Sequence, residues 1–343
     1  MSTEAFASAA AITAAVSSGR ATARALAADA LARIEVLNPQ LNAFTDVTHA
    51  RALARADQVD ARRARGEILG PLAGVPFAVK NLFDVQGLPT RAGSKINRER
   101  EPASRDAVLV RRLEAADAVL VGALNMGEYA YDFTGENAHD GPSRNPHSLG
   151  HMTGGSSGGS GAAVGGGLVP LALGSDTNGS IRVPSAFCGI FGLKPTYGRL
   201  TRAGTFPFVG SLDHVGPFSR SVADLALAYD VMQGPDPDDS VATTRDAVPV
   251  GSSLERGARG LRIAIAGGYF AQRAEEPAVL AAVKQAADAL GASVTIEIPE
   301  AARARAAAFV ITAAESAALH LDRIRTRPQD FDPAVRDRLI AGT

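Results

Sequence analysis

GGSSGGSGAAVGGGLVPLALGSDTNGSIR, residues 154–182, holds two serine-bearing, glycine-rich turns separated by one short apolar run. Residues 154–167 contain eight glycines, too many for an ordinary helix or strand and too regular in sequence for a flexible linker. Glycine tolerates positive φ and close approach of one backbone to another, so such turns can aim several N–H groups at one point. In SDTNGSIR the hydroxyl of Ser180 directly follows Thr177, Asn178 and Gly179, whose amides can surround the oxygen of a carbonyl under attack by that hydroxyl. A nucleophile and an oxyanion hole would then come from one turn.

Outward from this centre the texture is that of an α/β fold. Residues 71–80, PLAGVPFAVK, read as a buried strand ending at Lys80, and 106–125, DAVLVRRLEAADAVLVGALN, as a helix followed by a strand. Residues 134–180 are otherwise loop-rich. Beyond Gly234 a polar connection leads to LRIAIAGG (261–268), a helix over 277–290 and SVTIEI (293–298), a βαβ unit. Residues 1–66 read as an Ala-rich helical region, with apolar positions at helical spacing over 21–37 and a stop at Asn38-Pro39. The expected organisation is this helical region followed by a catalytic domain over 67–343, within one α/β/α domain built on a large mixed sheet.

A serine hydroxyl needs a base to become nucleophilic, and histidine is the usual one. None of the six histidines lies in such a motif. Lysine can substitute if burial lowers its pKa from about 10.4 toward the ~7–8 useful to a general base, and Lys80 at the end of an apolar strand is placed for that.

With these residues in view, the sequence resembles the amidase signature family, whose hallmark is a GGSSGGS segment leading into a GSIR turn. The likeness runs from about residue 20 to the end, through PLAGVPFAVK (71–80), NPHSLGHMTGGSSGGS (145–160), GSDTNGSIRVPSAFCGIFGLKPTYGRL (174–200) and SLDHVGPFSRSVADLA (211–226). It implies a Ser-Ser-Lys triad with Ser180 as nucleophile, Ser156 as a bridging serine in an unusual backbone conformation, Lys80 as base, and an oxyanion hole of Thr177, Asn178 and Gly179. It also implies cleavage of a linear amide or ureide C–N bond through an acyl-enzyme, with no metal or organic cofactor. The chain has Lys80-Asn81-Leu82 where many members have Lys-Asp-Asn, and Asn178-Gly179 where they have Gly-Gly. With FPFVGSLDHVGP (206–217), these departures resemble most the branch that includes carboxybiuret hydrolases. The glutaminase subunit of tRNA-dependent amidotransferases is the alternative within the family. Members usually continue past the point matching residue 343, so a C-terminally incomplete chain is expected, and an inactive fragment or interaction subunit is the reading of another class. A small helical partner subunit or a homo-oligomer follows from the same resemblance.

Other serines and neighbours have plainer readings. Ser157 and Ser160 read as hydroxyls that tie down the loop, with Ser157 a supporting candidate for the site. Arg182 either binds a substrate carboxylate or pairs with Asp176. Cys188 reads as a small core side chain and His214 as structural. Two rival motifs fit poorly. Gly159, Gly161 and Gly165 follow no strand and lack dinucleotide spacing, and Gly155-Ser156-Ser157-Gly158-Gly159 matches G-x-S-x-G without the strand that such an elbow needs.

Composition sets outer limits. With 343 residues, 46% apolar, the chain can fill a sizeable core, and 35 basic against 36 acidic residues leave no field favouring direct nucleic-acid binding. One cysteine excludes an intramolecular disulfide and fits a reducing compartment. Residues 1–20 lack the basic start of a secretory signal, and no apolar run approaches a membrane span, so a cytoplasmic protein is expected.

Overall fold

The computed structural model describes residues 7–272 and 276–343. The chain opens with helices α1 (Ala9–Ser17) and α2 (Ala23–Leu41), then strand β1 (Phe44–Val47) and helix α3 (His49–Ala64). Strand β2 (Pro76–Lys80), helix α4 (Val108–Ala115) and strand β3 (Val119–Leu124) fall where the apolar patterns put them. A hairpin of β4 (Arg144–Asn145) and β5 (Ser148–Met152) precedes α5 (Gly158–Gly165), β6 (Leu171–Asp176), α6 (Arg182–Phe187) and β7 (Phe191–Gly192). Then come β8 (His214–Ser219), α7 (Val222–Met232), β9 (Ala264–Ala266), α8 (Tyr269–Gln272), α9 (Pro277–Ala289), β10 (Val294–Ile296), α10 (Ala301–Thr326) and α11 (Pro333–Ala341).

Six strands form one mixed sheet in the order β1-β3-β2-β6-β8-β7. The central strands β3, β2 and β6 are parallel, and β1, β8 and β7 pair antiparallel at the two sides. Alternation along the strands sends Phe77, Val79, Leu171 and Leu173 into one core with α1, α4, α7, α10 and α11, while Ala78 and Ala172 face a second core with α2, α3 and α5. Both faces are therefore covered, which is why β2 reads as an unbroken apolar run. The expected α/β/α architecture is the observed one. The unit after Gly234 is likewise a βαβ: β9 and β10 pair in parallel as a separate two-stranded sheet with α9 between them in sequence.

Three local readings are corrected. The helix expected to stop at Asn38-Pro39 continues to Leu41, because a proline in the last turn forfeits only one N–H and Asn38 then closes the end. The Asn38 side chain accepts from the amides of Ala43 and Phe44, and its carbonyl accepts from Asn42, which sits in the left-handed region at φ 48°. The region before residue 66 is also not wholly helical, since Phe44–Val47 forms the edge strand beside β3. Finally, part of the glycine-rich segment is helical. Gly158–Gly165 forms α5 because the helix lies so close to the sheet that only hydrogen fits: a Cβ at Gly159 would sit 2.6 Å from the backbone N and O of Asn125 and against the carbonyl of Ala43.

Gly159→Ala is thus expected to destabilise the fold by about 3 kcal/mol through overpacking against immovable backbone. Gly150→Ala, on an exposed strand with nothing within 4 Å of the new methyl, is expected to be neutral. Urea unfolding of the two variants beside the wild type measures the difference, and equal midpoints would refute the close-packing account of α5.

Candidate active site

Lys80 ends β2 with its side chain fully buried. Register pairs Phe77, Ala78 and Val79 with Leu171, Ala172 and Leu173, so the lysine arrives beside the C-terminal end of β6, where the second serine turn begins. Its Nζ lies 2.7 Å from Ser156 Oγ and 2.9 Å from Ser175 Oγ and is hydrogen bonded to both. Burial drives the Lys80 pKa down to about 7, against the opposing pull of Asp176, Asp213 and Asp132. At roughly 1.4 kcal/mol per pH unit, that change from 10.5 favours the neutral amine by about 5 kcal/mol. Burial thus brings the titration of this amine into the neutral range.

Ser156 is fully buried in the loop that leads into α5, and the Gly155–Ser156 peptide is cis, in keeping with the unusual conformation that the resemblance implied. Gly155 leaves no room for a side chain, since a Cβ there would meet Asp132 Oδ2 and the backbone of Gly135. Ser157 donates to the carbonyl of Ser175 at 3.2 Å and accepts from its amide at 3.4 Å. Ser160 donates to the carbonyl of Leu173 at 3.0 Å. Both hydroxyls stitch the glycine-rich loop to β6, as the plain reading has it.

The turn after β6 is organised by Asp176. Its buried carboxylate accepts from the amides of Gly179, Ile181 and Arg182 and from Nε and Nη2 of the Arg182 guanidinium, at 2.8–3.3 Å. Burial opposes the charge, but these donors hold the Asp176 carboxyl below its ordinary pKa. Arg182 therefore pairs with Asp176, the second of its two readings, while its half-exposed side chain also borders the cleft described below. The Gly179 amide is taken by Asp176; the amides of Thr177 and Asn178 make no hydrogen bond among the described residues. Thr177 donates to Asp213 at 2.6 Å, and burial raises the pKa of that carboxyl. Asn178 donates to Thr312 on α10 at 2.8 Å.

Ser180 is 4% exposed, and its hydroxyl makes no hydrogen bond among the described residues, to Ser156 included. It lines a small recess with Tyr131, Phe133, Asn178, Phe208, Phe309 and Thr312. The recess shares Tyr131, Phe133, Asn178 and Phe309 with an open cleft of about 840 Å³, whose described lining includes Arg182, Arg305 and Arg338 and no acidic residue. Arg338 donates to the Tyr131 carbonyl and lies over that ring; Arg305 lies over Phe309.

Two candidates lie outside the constellation. Cys188 is buried, and burial pushes its thiol up to about 12, so it is no thiolate. His214 binds the Leu212 carbonyl through Nδ1, and its pKa is lowered by burial. Sequence reasoning missed Ser175, Asp213 and the α10 wall. Ser175 carried a signal, a hydroxyl residue one position inside the turn motif, whereas Phe309 and Thr312 sit in a helix far along the chain with no motif at all.

Comparisons with known proteins identify the family. The family model for amidases matches residues 25–340. The chain belongs to the amidase signature family. It is 59% identical over 330 residues, 95% of this chain and 71% of the relative, to AtzE, a 1-carboxybiuret hydrolase subunit of Pseudomonas sp. (strain ADP). It is 40% identical over 351 residues, 96% of this chain and 72% of the relative, to a glutamyl-tRNA(Gln) amidotransferase subunit of Chloroflexus aggregans. A solved structure described as an unexpected vestigial protein complex that reveals the origins of an s-triazine catabolic enzyme superposes with a TM-score of 0.97 at 57% identity, over 98% of this chain and 73% of that one. The protein is an amidase, an enzyme that hydrolyses C–N bonds, and no described helix of it is long and apolar enough to cross a membrane.

Because Lys80 titrates near 7 when folded and near 10.5 when unfolded, the unfolded state binds the extra proton between about pH 7 and 10.5, and stability rises with pH across that window. The apolar, similarly long side chain of Lys80→Met removes the burden. This variant is expected to be more stable than wild type at pH 7 by on the order of 2 kcal/mol, with the gain shrinking toward pH 10. Denaturant melts at both pH values check this; a variant less stable at both would show that the amine is held by its partners at no cost.

Proposed function

We propose that this amidase cleaves a small, negatively charged ureide of the carboxybiuret type, with Lys80, Ser156 and Ser180 as the catalytic triad. The observation that carries the triad is the fully buried Lys80 amine, pushed to a pKa of about 7 and bonded to Ser156. Neutral Lys80 takes the Ser156 proton as Ser156 takes that of Ser180, and Ser180 Oγ attacks the ureide carbonyl. The link from Ser180 to Ser156 forms when the unpartnered Ser180 hydroxyl turns inward, in keeping with catalytic hydrogen bonds that close only on the bound substrate. Negative charge on the carbonyl oxygen goes to the unpaired amides of Thr177 and Asn178, while Gly179 supports them through Asp176. Ser156 then delivers a proton to the departing nitrogen, ammonia or amine leaves, and water releases the acyl or carbamoyl group by the same relay run in reverse.

The substrate reading rests on two supports: the 59% identity to a carboxybiuret hydrolase subunit, and a cleft in which Arg305 and Arg338, neither paired with a carboxylate among the described residues, suit a substrate carboxylate. The glutaminase-subunit reading is the second choice, with a more distant relative behind it. Likeness to one component of a hydrolase, and to a protein complex, supports a small helical partner or a homo-oligomer, and a single buried thiol fits the cytoplasm.

Ammonia release from carboxylated biuret is expected to exceed that from biuret, glutamine and simple aliphatic or aryl amides, and to fall at least about a thousandfold in Ser180→Ala. The rate should rise through pH 7 and level off above it as Lys80 loses its proton. Glutamine as the preferred substrate would favour the amidotransferase reading, and a rate flat between about pH 6 and 9 would exclude Lys80 as the base.

A further inference from the structure

We infer that Ser175 is a positioning residue that turns the lone pair of neutral Lys80 toward Ser156, and so sets both the rate and the acid limit of the reaction. The inference rests on the reading of Lys80 as the base. A neutral amine carries two N–H bonds and one lone pair. To accept the Ser156 proton, the lone pair must lie along the 2.7 Å contact, so that the Ser156 O–H donates to Nζ. Both amine hydrogens must then point elsewhere. Ser175 Oγ, at 2.9 Å, is the other hydrogen-bond partner of Nζ among the described residues. With Ser175 accepting one N–H, rotation about the terminal C–N bond is fixed and the lone pair has one place to go. Without it the amine can equally well donate to Ser156, which is the unreactive arrangement.

Ser175 is well suited to this because its own backbone cannot drift. It lies on β6 opposite Val215, and Ser157 holds both its amide and its carbonyl. Those ties do not involve its hydroxyl, so truncation to alanine leaves them in place. Ser175 also lines a recess of about 10 Å³ with Arg202, Thr205, Asp213 and His214, separate from the recess that holds Ser180 but sharing Ala130 and Phe208 with it. The charged groups that act on Lys80 are the carboxylates of Asp132, Asp176 and Asp213, and Arg202 and His214 lie across the recess. None of these is moved by a change at Ser175 Oγ. A hydroxyl acceptor stabilises the ammonium more than the amine, so its loss shifts the Lys80 titration down.

The test uses a fluorophosphonate as a probe that needs no knowledge of the natural substrate. Ser180 Oγ forms a bond to phosphorus, the P–F bond breaks with loss of fluoride, and the hydroxyl proton passes through Ser156 to Lys80. Labelling rates are read by intact mass from pH 5 to 9 for wild type, Ser175→Ala, Ser175→Thr and Lys80→Met. The wild-type rate should climb through pH 7 to a plateau. Ser175→Ala should lower the plateau about tenfold, the worth of one hydrogen bond at the upper end of its range, and move the midpoint down by roughly half a pH unit. Ser175→Thr, which keeps the hydroxyl, should restore both. A Ser175→Ala profile with wild-type plateau and midpoint overturns the role of Ser175 while leaving Lys80 as base. Lys80→Met labelling as fast as wild type, or a wild type without labelling or without a limb near pH 7, overturns the Lys80 reading itself and this inference with it.

Discussion

The site exists because a lysine amine is denied water. Lys80 closes a strand with cores on both sides, and its end meets two serine hydroxyls in place of solvent or a carboxylate partner. An ion pair would hold it charged and useless as a base. Asp176, the acid that pulls most on the amine, is committed to Arg182 and three amides of its own turn, while Asp213 is committed to Thr177 and the amides of Phe208 and Val209. Each carboxylate is thereby occupied, and desolvation outweighs their combined attraction. The pKa near 7 is a balance between the surrounding apolar sheet and acids that have other work.

The glycine-rich loop serves the same end by geometry. Side chains at Gly155, Gly159 or Gly174 would collide with Asp132, with the Asn125 backbone, or with Ser157 and Phe218. Hydrogen at these positions lets α5 and the loop before it lie flat on the sheet, which brings Ser156 to the amine and Ser157 to β6. The turn that carries Ser180 is held from below by Asp176 and from above by Asn178 on Thr312, while an aromatic and arginine-bearing wall lines the cleft beside it.

Much of this is legible in the sequence alone. PFAVK reads as a buried strand because every position is apolar up to the lysine, and the glycine spacing marks the paired serine turns as shaped backbone, their catalytic roles being implied only by the family resemblance. Arg182 is legible only as a choice, since an arginine two residues past a catalytic turn has the same sequence whether it faces a substrate or Asp176. Other features are illegible for physical reasons. A four-residue edge strand such as Phe44–Val47 is too short to show alternation. A helix of glycine, serine and alanine with a single valine, such as α5, has no amphipathic stripe and is helical through tertiary packing against its own propensity. The wall of the cleft comes from α10, whose buried positions Thr312, Ser316, His320 and Ile324 follow a four-residue spacing that marks a face without saying what it covers.

The two bonds to the Lys80 amine join positions 76 and 95 residues apart in the chain. Neither can form until β2 and β6 lie side by side with α5 closed over them, and contacts of such sequence separation come late in folding. Before that moment the lysine is an ordinary exposed amine, protonated at cellular pH, and Ser180 an ordinary alcohol. In the proposed triad the lysine thus becomes a base only once these long-range contacts are made.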